Sequence, residues 1–241
     1  MKQDKRLIVA LDVDKKEKAL HLVDALSSEV AVFKVGLELF SSCGPEIVEL
    51  IKKRGREVFL DLKFHDIPNT AGRAAAVVTG LGAFMFNVHA LGGFEMMQRV
   101  SKDARHKAET LKIPRPKILA VTVLTSMDVE ALKRVGIDGN MEEQVLKLAK
   151  LAREAGLDGV VASPKEASTI RRELGKDFII VTPGIRPSGM ADSGASDDQK
   201  RIARPKDALS AGADYIVVGR PITEAADPLK AAKEINKEMR Q

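Results

Sequence analysis

Short apolar runs, each followed by a segment of helical periodicity, recur along the chain and constrain its fold more than any other feature. Such runs are typical of strands that are buried on both faces of a sheet. We count eight: Leu7–Leu11, Ala31–Val35, Glu57–Leu62, Phe84–Val88, Lys117–Val123, Gly159–Ala162, Phe178–Val181 and Tyr215–Val218. The helical segments between them include Lys15–Leu26, Pro45–Arg54 and Glu142–Ala155. The order of strand then helix predicts parallel strands joined by crossover helices.

The number of these units selects the architecture. Eight strand–helix units in 241 residues fit the (β/α)8 TIM barrel, whose usual size is roughly 250 residues. No low-complexity tract or proline-rich linker marks a domain boundary. We therefore predict an α/β fold, a TIM barrel, in which residues 1–241 form a single domain. A doubly wound open sheet is the alternative, because periodicity alone does not exclude it.

Composition narrows the classes of function. Basic residues number 39 and acidic residues 34, and they alternate along solvated helix faces. Aromatic residues make up only 4% of the chain and Trp is absent, which argues against a nucleic-acid stacking platform. Cys43 is the single cysteine, so an intramolecular disulfide and a multi-cysteine metal site are excluded. The first apolar run is too short for a signal sequence or a membrane span, so we expect a cytoplasmic protein without a membrane partner.

Ionisable residues cluster where a barrel places its chemistry. Asp12 follows the first predicted strand, Lys34 lies in the second, Asp61 and Lys63 end the third, and Asp66 comes three residues later. Active sites of such barrels lie at the C-terminal ends of the strands. Alternate strand residues face the same way, so Asp61 and Lys63 should project together. Each charge alone could be solvated or part of a structural ion pair, but together they predict a functional site, because buried charges are costly unless paired.

Two arginines suggest what binds there. Arg186 follows the seventh predicted strand and Arg220 the eighth, and each lies close to a glycine, Gly184 or Gly219. The loops after these two strands frequently form a phosphate site in barrels, where glycine permits close backbone approach and arginine supplies a bidentate fork. We therefore expect a phosphorylated substrate. Turn glycines and surface arginines are the alternative for either loop alone.

Other features carry less information about function. His65 and His89 lie near the charged segment, but no spacing of His, Cys and Asp predicts a metal site. His21 and His106 fall in helical segments and are predicted to be on the surface. Motifs of acyl transfer, nucleotide hydrolysis and dinucleotide binding are absent. The segment 187–200 is rich in Gly, Ser and Asp and is predicted to be a mobile loop.

The segment Asp61–Thr70, DLKFHDIPNT, closely resembles the signature of the orotidine 5'-monophosphate decarboxylase family. Its D-x-K-x-x-D core is shared with a wider suprafamily, whereas the extension through Asn69 and Thr70 is more specific. The resemblance continues in family order along the chain, at residues 10–12 (ALD), 33–36 (FKVG), 87–90 (NVHA), 121–126 (VTVLTS) and 182–186 (TPGIR), at Gln199, and at 219–220 (GR).

This resemblance implies the decarboxylation of orotidine 5'-monophosphate to UMP and carbon dioxide in pyrimidine biosynthesis, without a metal or cofactor. The catalytic residues that it implies are Lys63, as the proton donor to C6 of the pyrimidine, with Asp61, Asp66 and Lys34. The substrate-binding residues that it implies are Asp12, Lys34, Asp61, Ile67, Thr70, Thr125, Ser126, Pro183, Arg186, Gln199, Gly219 and Arg220.

The resemblance also implies a homodimer, because in this family the residues matching Asp66, Ile67 and Thr70 reach into the partner subunit's site. Two rival functions stay open. One is a decarboxylase or aldolase of the same suprafamily that acts on a sugar phosphate through a metal-bound enediolate, although Thr125 and Gln199 favour a nucleotide. The other is a non-catalytic sensor of a phosphorylated ligand on a barrel scaffold.

Overall fold

The computed structural model describes residues 5–187 and 203–240, and within them the parallel strands close into a barrel in the order β1 to β8. Leu7 of the first strand pairs with Ile216 of the last, so the sheet has no free edge. The TIM-barrel prediction is confirmed, and the open-sheet alternative is wrong. The strands are β1 (Leu7–Ala10), β2 (Val32–Gly36), β3 (Glu57–Phe64), β4 (Met85–His89), β5 (Lys117–Val121), β6 (Gly159–Val161), β7 (Ile179–Thr182) and β8 (Tyr215–Val218).

Helices follow the strands around the outside of the barrel. In the described residues they are α1 (Lys16–Leu26), α2 (Leu37–Cys43), α3 (Glu46–Lys53), α4 (Pro68–Gly80), α5 (Gly93–Leu111), α6 (Val129–Arg134), α7 (Met141–Glu154), α8 (Pro164–Leu174), α9 (Pro205–Ser210), α10 (Arg220–Thr223) and α11 (Pro228–Glu238). Side chains of Asp128, Asn140, Ser163 and Asp227 cap four of the N-termini. The three predicted helical segments match α1, α3 and α7 closely.

Two strand boundaries differ from the predicted ones in an informative way. The third strand continues to Phe64 instead of ending at Leu62, although its apolar run has already stopped. The fifth ends at Val121 instead of Val123, and a turn follows. Strand bounds follow backbone pairing, while apolar runs follow burial, so the two disagree where a strand carries charged residues or where buried residues enter a loop.

The interior of the barrel changes character along the strands. Its apolar filling consists of Ile8, Ala10, Ala31, Val32, Phe59, Met85, Leu119, Val181 and Val217. Polar residues follow on the same strand faces. Lys34, Asp61 and Asn87 each lie two residues after an apolar interior residue, which is Val32, Phe59 or Met85 respectively. The barrel is thus packed with apolar side chains at its N-terminal end and presents charged and amide groups toward its C-terminal end.

The N-terminal end of the barrel has its own charged groups, which hold strands together. Asp158 accepts hydrogen bonds from the guanidinium of Arg115 and, at 2.7 Å, from the backbone N–H of Ile118. Asp214 accepts from Arg171 at 2.7 Å and from the backbone N–H of Ile180 at 2.8 Å. Each aspartate therefore pairs with one arginine and also satisfies a backbone donor of the neighbouring strand.

Some predictions can be placed only in part. Of the predicted loop 187–200, the described part of the chain contains only Pro187. His21 and His106 are exposed, as predicted. In the described ranges, no helix is both long enough and apolar enough to cross a membrane.

Candidate active site

A cavity of about 660 Å³ opens at the C-terminal end of the barrel. This volume is in the range of sites that bind small molecules. The predicted site residues that line it are Asp12, Lys34, Asp61, Lys63, Thr125, Ser126, Pro183, Arg186, Gly219 and Arg220. Residues from widely separated parts of the sequence therefore meet around one space.

Four charged side chains form a continuous row in this cavity. Lys34 Nζ lies 2.9 Å from Asp12 Oδ1 and 3.2 Å from Asp61 Oδ2, and Lys63 Nζ lies 2.7 Å from Asp61 Oδ1. The signs alternate along the row, so every charge has an opposite neighbour. The side chains of Lys34 and Asp61 are only 11% and 13% exposed, whereas Lys63 is 32% exposed to the cavity. We refer to Asp12, Lys34, Asp61 and Lys63 as the charge row.

Mutual pairing keeps the two buried members of the row ionised. Burial alone would lower the pKa of Lys34, but the charges of Asp61 and Asp12 outweigh burial, and the pKa lies above its ordinary value of 10.5. Burial alone would raise the pKa of Asp61, but Lys34 and Lys63 hold this pKa below its ordinary value of 3.8. Lys34 and Asp61 therefore both carry their full charge at neutral pH.

Lys63 reaches Asp61 from an unusual backbone conformation. Its φ is 50°, in the left-handed region, where non-glycine residues are uncommon. The register between β3 and β4 also shifts: Leu60 pairs with Phe86, but Phe64 pairs with Val88. Simple strand alternation correctly predicted that Asp61 and Lys63 lie together, yet the contact is made across a bulge and not along a regular strand.

Asn87 holds this bulge, and in the sequence it stands out only as part of the family resemblance at residues 87–90. Its Oδ1 accepts a hydrogen bond from the backbone N–H of Lys63 at 2.8 Å, and its Nδ2 donates to Asp61 Oδ1 at 2.7 Å. It is 1% exposed. The available signal was an amide two residues after Met85, on the strand face that points into the barrel interior, because a buried amide requires partners.

The two arginine loops line the same cavity, and Gly219 lies beside Asp12 of the charge row. Gly184 has a φ of 75°, which suits glycine, and its carbonyl accepts a hydrogen bond from the N–H of Ala203 at 3.2 Å. The N–H of Arg186 donates to the carbonyl of Ala203 at 2.9 Å, so the loop after β7 is fixed beside the cavity. Arg220 begins α10, directly after Gly219. Gln199 lies outside the residues that the structure describes.

Three predicted site residues do not line the cavity of their own chain. Asp66, Ile67 and Thr70 are exposed at the start of α4, and Ile67 is 67% exposed. The carboxylate of Asp66 accepts a hydrogen bond from the N–H of Ile67 at 2.7 Å. Among the residues described here, no ion pair joins Asp66 to Lys63. These side chains therefore lie outside the row within one chain.

Two histidines stack beside the charge row. The rings of His65 and His89 have centroids 5.3 Å apart and planes inclined by 15°. His89 Nδ1 accepts a hydrogen bond from the N–H of Leu91 at 3.3 Å, so this nitrogen is already engaged. Burial, followed by the nearby His65 and Lys63, lowers the pKa of His89 below its ordinary value of 6.5. Within the described ranges, no group of three or more His, Cys, Asp or Glu side chains is placed to hold a metal ion.

Comparison with known proteins places the chain among relatives of one kind. Residues 5–235 match the model of the orotidine 5'-phosphate decarboxylase / HUMPS family. The orotidine 5'-phosphate decarboxylase of Moorella thermoacetica is 53% identical over 97% of this chain and 92% of its own length, and that of Syntrophomonas wolfei is 50% identical over the full length of both. The crystal structure of orotidine 5'-phosphate decarboxylase from Lactobacillus acidophilus superposes with a TM-score of 0.84 at 39% identity, covering 99% of this chain and 100% of that one.

Proposed function

Because the chain belongs to the orotidine 5'-phosphate decarboxylase / HUMPS family, we propose that its charge row decarboxylates orotidine 5'-monophosphate without a metal or cofactor, with Lys63 as the proton donor. The enzyme is a carboxy-lyase of pyrimidine biosynthesis, and its products are UMP and carbon dioxide. The observation that carries the proposal is the position of Lys63 Nζ, which is open to the cavity and 2.7 Å from Asp61.

The reaction demands electrostatic stabilisation. When carbon dioxide leaves C6 of the pyrimidine, the electron pair stays on a carbon with no conjugated carbonyl to delocalise it. A fixed ammonium beside C6 stabilises this developing charge without reorganisation at the moment of reaction, and such preorganised groups are usually the largest single contribution to catalysis. Lys63 then transfers a proton to C6, which completes the conversion.

The other members of the row position Lys63 and the ribose. Asp61 holds the ammonium of Lys63, and its negative charge lies where the substrate carboxylate would approach, which disfavours the ground state. Asp12 is the most exposed member, at 56%, and with Lys34 it offers an acceptor and a donor to ribose hydroxyls. The apolar residues Val121, Val123 and Val161 line the same cavity as Thr125 and Ser126, and they offer a surface suited to a flat pyrimidine.

The arginine loops are suited to the phosphate of the same substrate. Arg186 and Arg220 follow neighbouring strands, and two guanidinium groups bind a phosphate with charge-assisted, bidentate hydrogen bonds. The phosphate does not react. Its binding energy can nonetheless hold the pyrimidine against the charge row, so that a remote group contributes to the rate of the chemical step.

We propose further that two chains form a dimer whose sites are completed across the interface. Asp66, Ile67 and Thr70 are exposed at the mouth of their own barrel and do not line its cavity. Large apolar residues that follow β2 and β4, the two strands beside β3, are exposed at the same end of the barrel, with Leu37 at 58% and Leu91 at 44%. Exposed apolar side chains near a functional site favour a protein partner, and a second copy would place its Asp66 near Lys63.

The full chain, 1–241, is proposed to act as one domain in the cytoplasm. The barrel closes between β1 and β8, and α11 packs against α1, so both ends of the described chain belong to the same body. Cys43 is a free thiol, which is compatible with a reducing compartment.

One assay separates the proposal from its rivals. The purified protein is mixed with orotidine 5'-monophosphate, and the ultraviolet absorbance change of the pyrimidine is followed with and without exhaustive chelation. We expect turnover that chelation does not affect. Turnover that chelation abolishes and magnesium restores would favour metal-dependent chemistry. Binding of the nucleotide with no absorbance change would instead favour a sensor.

A further inference from the structure

We propose that Asn87 is a positioning residue for the decarboxylation, because its single amide fixes both the backbone of Lys63 and the carboxylate of Asp61. The inference rests on the proposed function of Lys63 and extends it to a buried side chain on the neighbouring strand. Asn87 lies in β4, between Met85, which packs in the barrel interior, and His89 at the end of the strand.

The bulge in β3 creates the need for such a residue. Between the pairs Leu60–Phe86 and Phe64–Val88, three residues of β3 stand opposite one residue of β4, which is Asn87. A bulged segment loses its regular ladder hydrogen bonds. The N–H of Lys63 falls in this segment, and a side-chain acceptor, Asn87 Oδ1 at 2.8 Å, replaces the missing backbone acceptor.

The left-handed conformation of Lys63 makes this hydrogen bond important for its geometry. Residues in sparsely populated backbone conformations keep them only where the surroundings determine them, and they cluster at functional sites. Lys63 has no glycine-like freedom at its φ of 50°. The bond from its N–H to Asn87 therefore helps to keep the backbone in the conformation that places Nζ beside Asp61.

The other half of the amide acts on the partner of Lys63. Asn87 Nδ2 donates to Asp61 Oδ1, the same oxygen that accepts from Lys63 Nζ at 2.7 Å. Only one orientation of the amide serves both contacts, since the oxygen must face the N–H and the nitrogen must face the carboxylate. Asn87 thus needs one donor and one acceptor in a fixed relation, and a protonated carboxylic acid is another small group that supplies both.

The need for one donor and one acceptor at position 87 can be tested, because a purely structural role of Asn87 would not require this pair. In Asn87→Asp, an ionised carboxylate would still accept from the N–H of Lys63 but would repel Asp61, whereas the protonated acid could donate to Asp61. The titratable and charged groups around position 87 are Asp61 and Lys63 on β3, Lys34 on β2, Asp12 after β1, and His65 and His89 beside the cavity. Any recovery of kcat at acid pH is therefore measured relative to the pH profile of wild type, because the wild-type protein contains the same titratable groups.

The experiment compares kcat and KM of wild type, Asn87→Leu, Asn87→Asp and a control, Ser101→Ala, between about pH 5 and about pH 8. Ser101 is also buried and donates one hydrogen bond, to the carbonyl of Gly156, far from the charge row. We expect kcat of Asn87→Leu to fall about 100-fold, with KM within about threefold of wild type, because a small misplacement of catalytic groups has effects of that size. Ser101→Ala should keep wild-type kcat.

For Asn87→Asp, the ratio of its kcat to that of wild type should increase by at least about tenfold as the pH falls across this range. A constant ratio would overturn the inference, as would Asn87→Leu with kcat within about threefold of wild type. If Asn87→Leu does not fold, the pH profile of Asn87→Asp alone decides. A wild-type protein that does not consume orotidine 5'-monophosphate would instead refute the proposed function, so the two failures are distinguishable.

Discussion

The two ends of the barrel both pair carboxylates with cations, but they arrange them differently. At the N-terminal end, Asp214 accepts from one guanidinium and one backbone N–H, and Arg171 also donates to the carbonyls of Gly175, Phe178 and Gly212. The hydrogen bonds of Arg171 therefore connect strands and loops. At the C-terminal end, Asp61 faces two ammonium groups, and Lys63 points from a left-handed backbone into an open cavity. The first arrangement is expected to stabilise the fold, and the second to perform the reaction.

The sharpest test of this contrast at the C-terminal end uses subunit exchange. Lys63→Ala should reduce kcat by at least about 10³-fold, and Asp66→Ala should also be inactive, because both charges belong to the same proposed site. When the two inactive proteins are mixed and allowed to exchange, activity should return to about a quarter of wild type. Half of the dimers would be mixed, and each would have one intact site of two.

The control for that experiment is Lys63→Ala mixed with itself, which should remain inactive. If demonstrated exchange of Lys63→Ala with Asp66→Ala restores nothing, the shared-site proposal is wrong, and Asp66 must act within its own chain.

The next largest effect concerns the arginine loops. Arg220→Ala should lower kcat/KM for orotidine 5'-monophosphate by about 100-fold, because a charge-assisted bidentate contact with the phosphate is lost. With orotidine, which has no phosphate, the variant and wild type should have the same low kcat/KM. A loss of equal size on both substrates would show that Arg220 acts on something other than the phosphate.

At the N-terminal end, the expected loss is in stability. Asp158→Ala removes the partner of Arg115 and the acceptor of the Ile118 N–H, so the free energy of unfolding should fall by about 3 kcal/mol. Denaturant titration measures this, and the kcat of the folded protein should stay within about twofold of wild type. An Asp158→Ala protein that keeps its full stability but loses its activity would contradict the assignment of stability to the N-terminal end and of catalysis to the C-terminal end.

The smallest effect is in the pH dependence of stability. The pKa of Asp61 is lowered, so its contribution is present above its unfolded-state pKa and is lost as the pH falls through the folded-state pKa. The pKa of Lys34 is raised, so its contribution is present below its unfolded-state pKa and is lost as the pH rises through the folded-state pKa. The difference in unfolding free energy between wild type and Asp61→Asn should therefore be constant near neutral pH and shrink below about pH 4. A difference that grows on acidification would refute the direction assigned to Asp61.

The same contrast explains what could be predicted from the sequence. Apolar runs that alternate with helical segments determine strand and helix order, because burial on both faces leaves a local pattern. Charges such as Lys34 and Asp61, which end or interrupt a strand, mark its C-terminal end. The role of Asn87 could not be predicted in this way, because its partners lie on another strand and the Lys63 N–H faces it only through a register shift. The φ of Lys63 was equally inaccessible, since no residue type at that position signals a left-handed backbone.

In the most direct test of the central claim, one cationic residue at each end of the barrel is replaced by methionine. Lys63→Met and Arg171→Met each remove a cation and keep most of the apolar stem, and kcat and the unfolding free energy are measured for both. We predict that Lys63→Met loses at least about 10³-fold in kcat while its stability stays within about 1 kcal/mol of wild type, because its ion pair is partly exposed. Arg171→Met should lose about 3 kcal/mol of stability and keep kcat within about twofold. Equal losses of stability in the two variants, or a Lys63→Met protein that retains its kcat, would contradict the account.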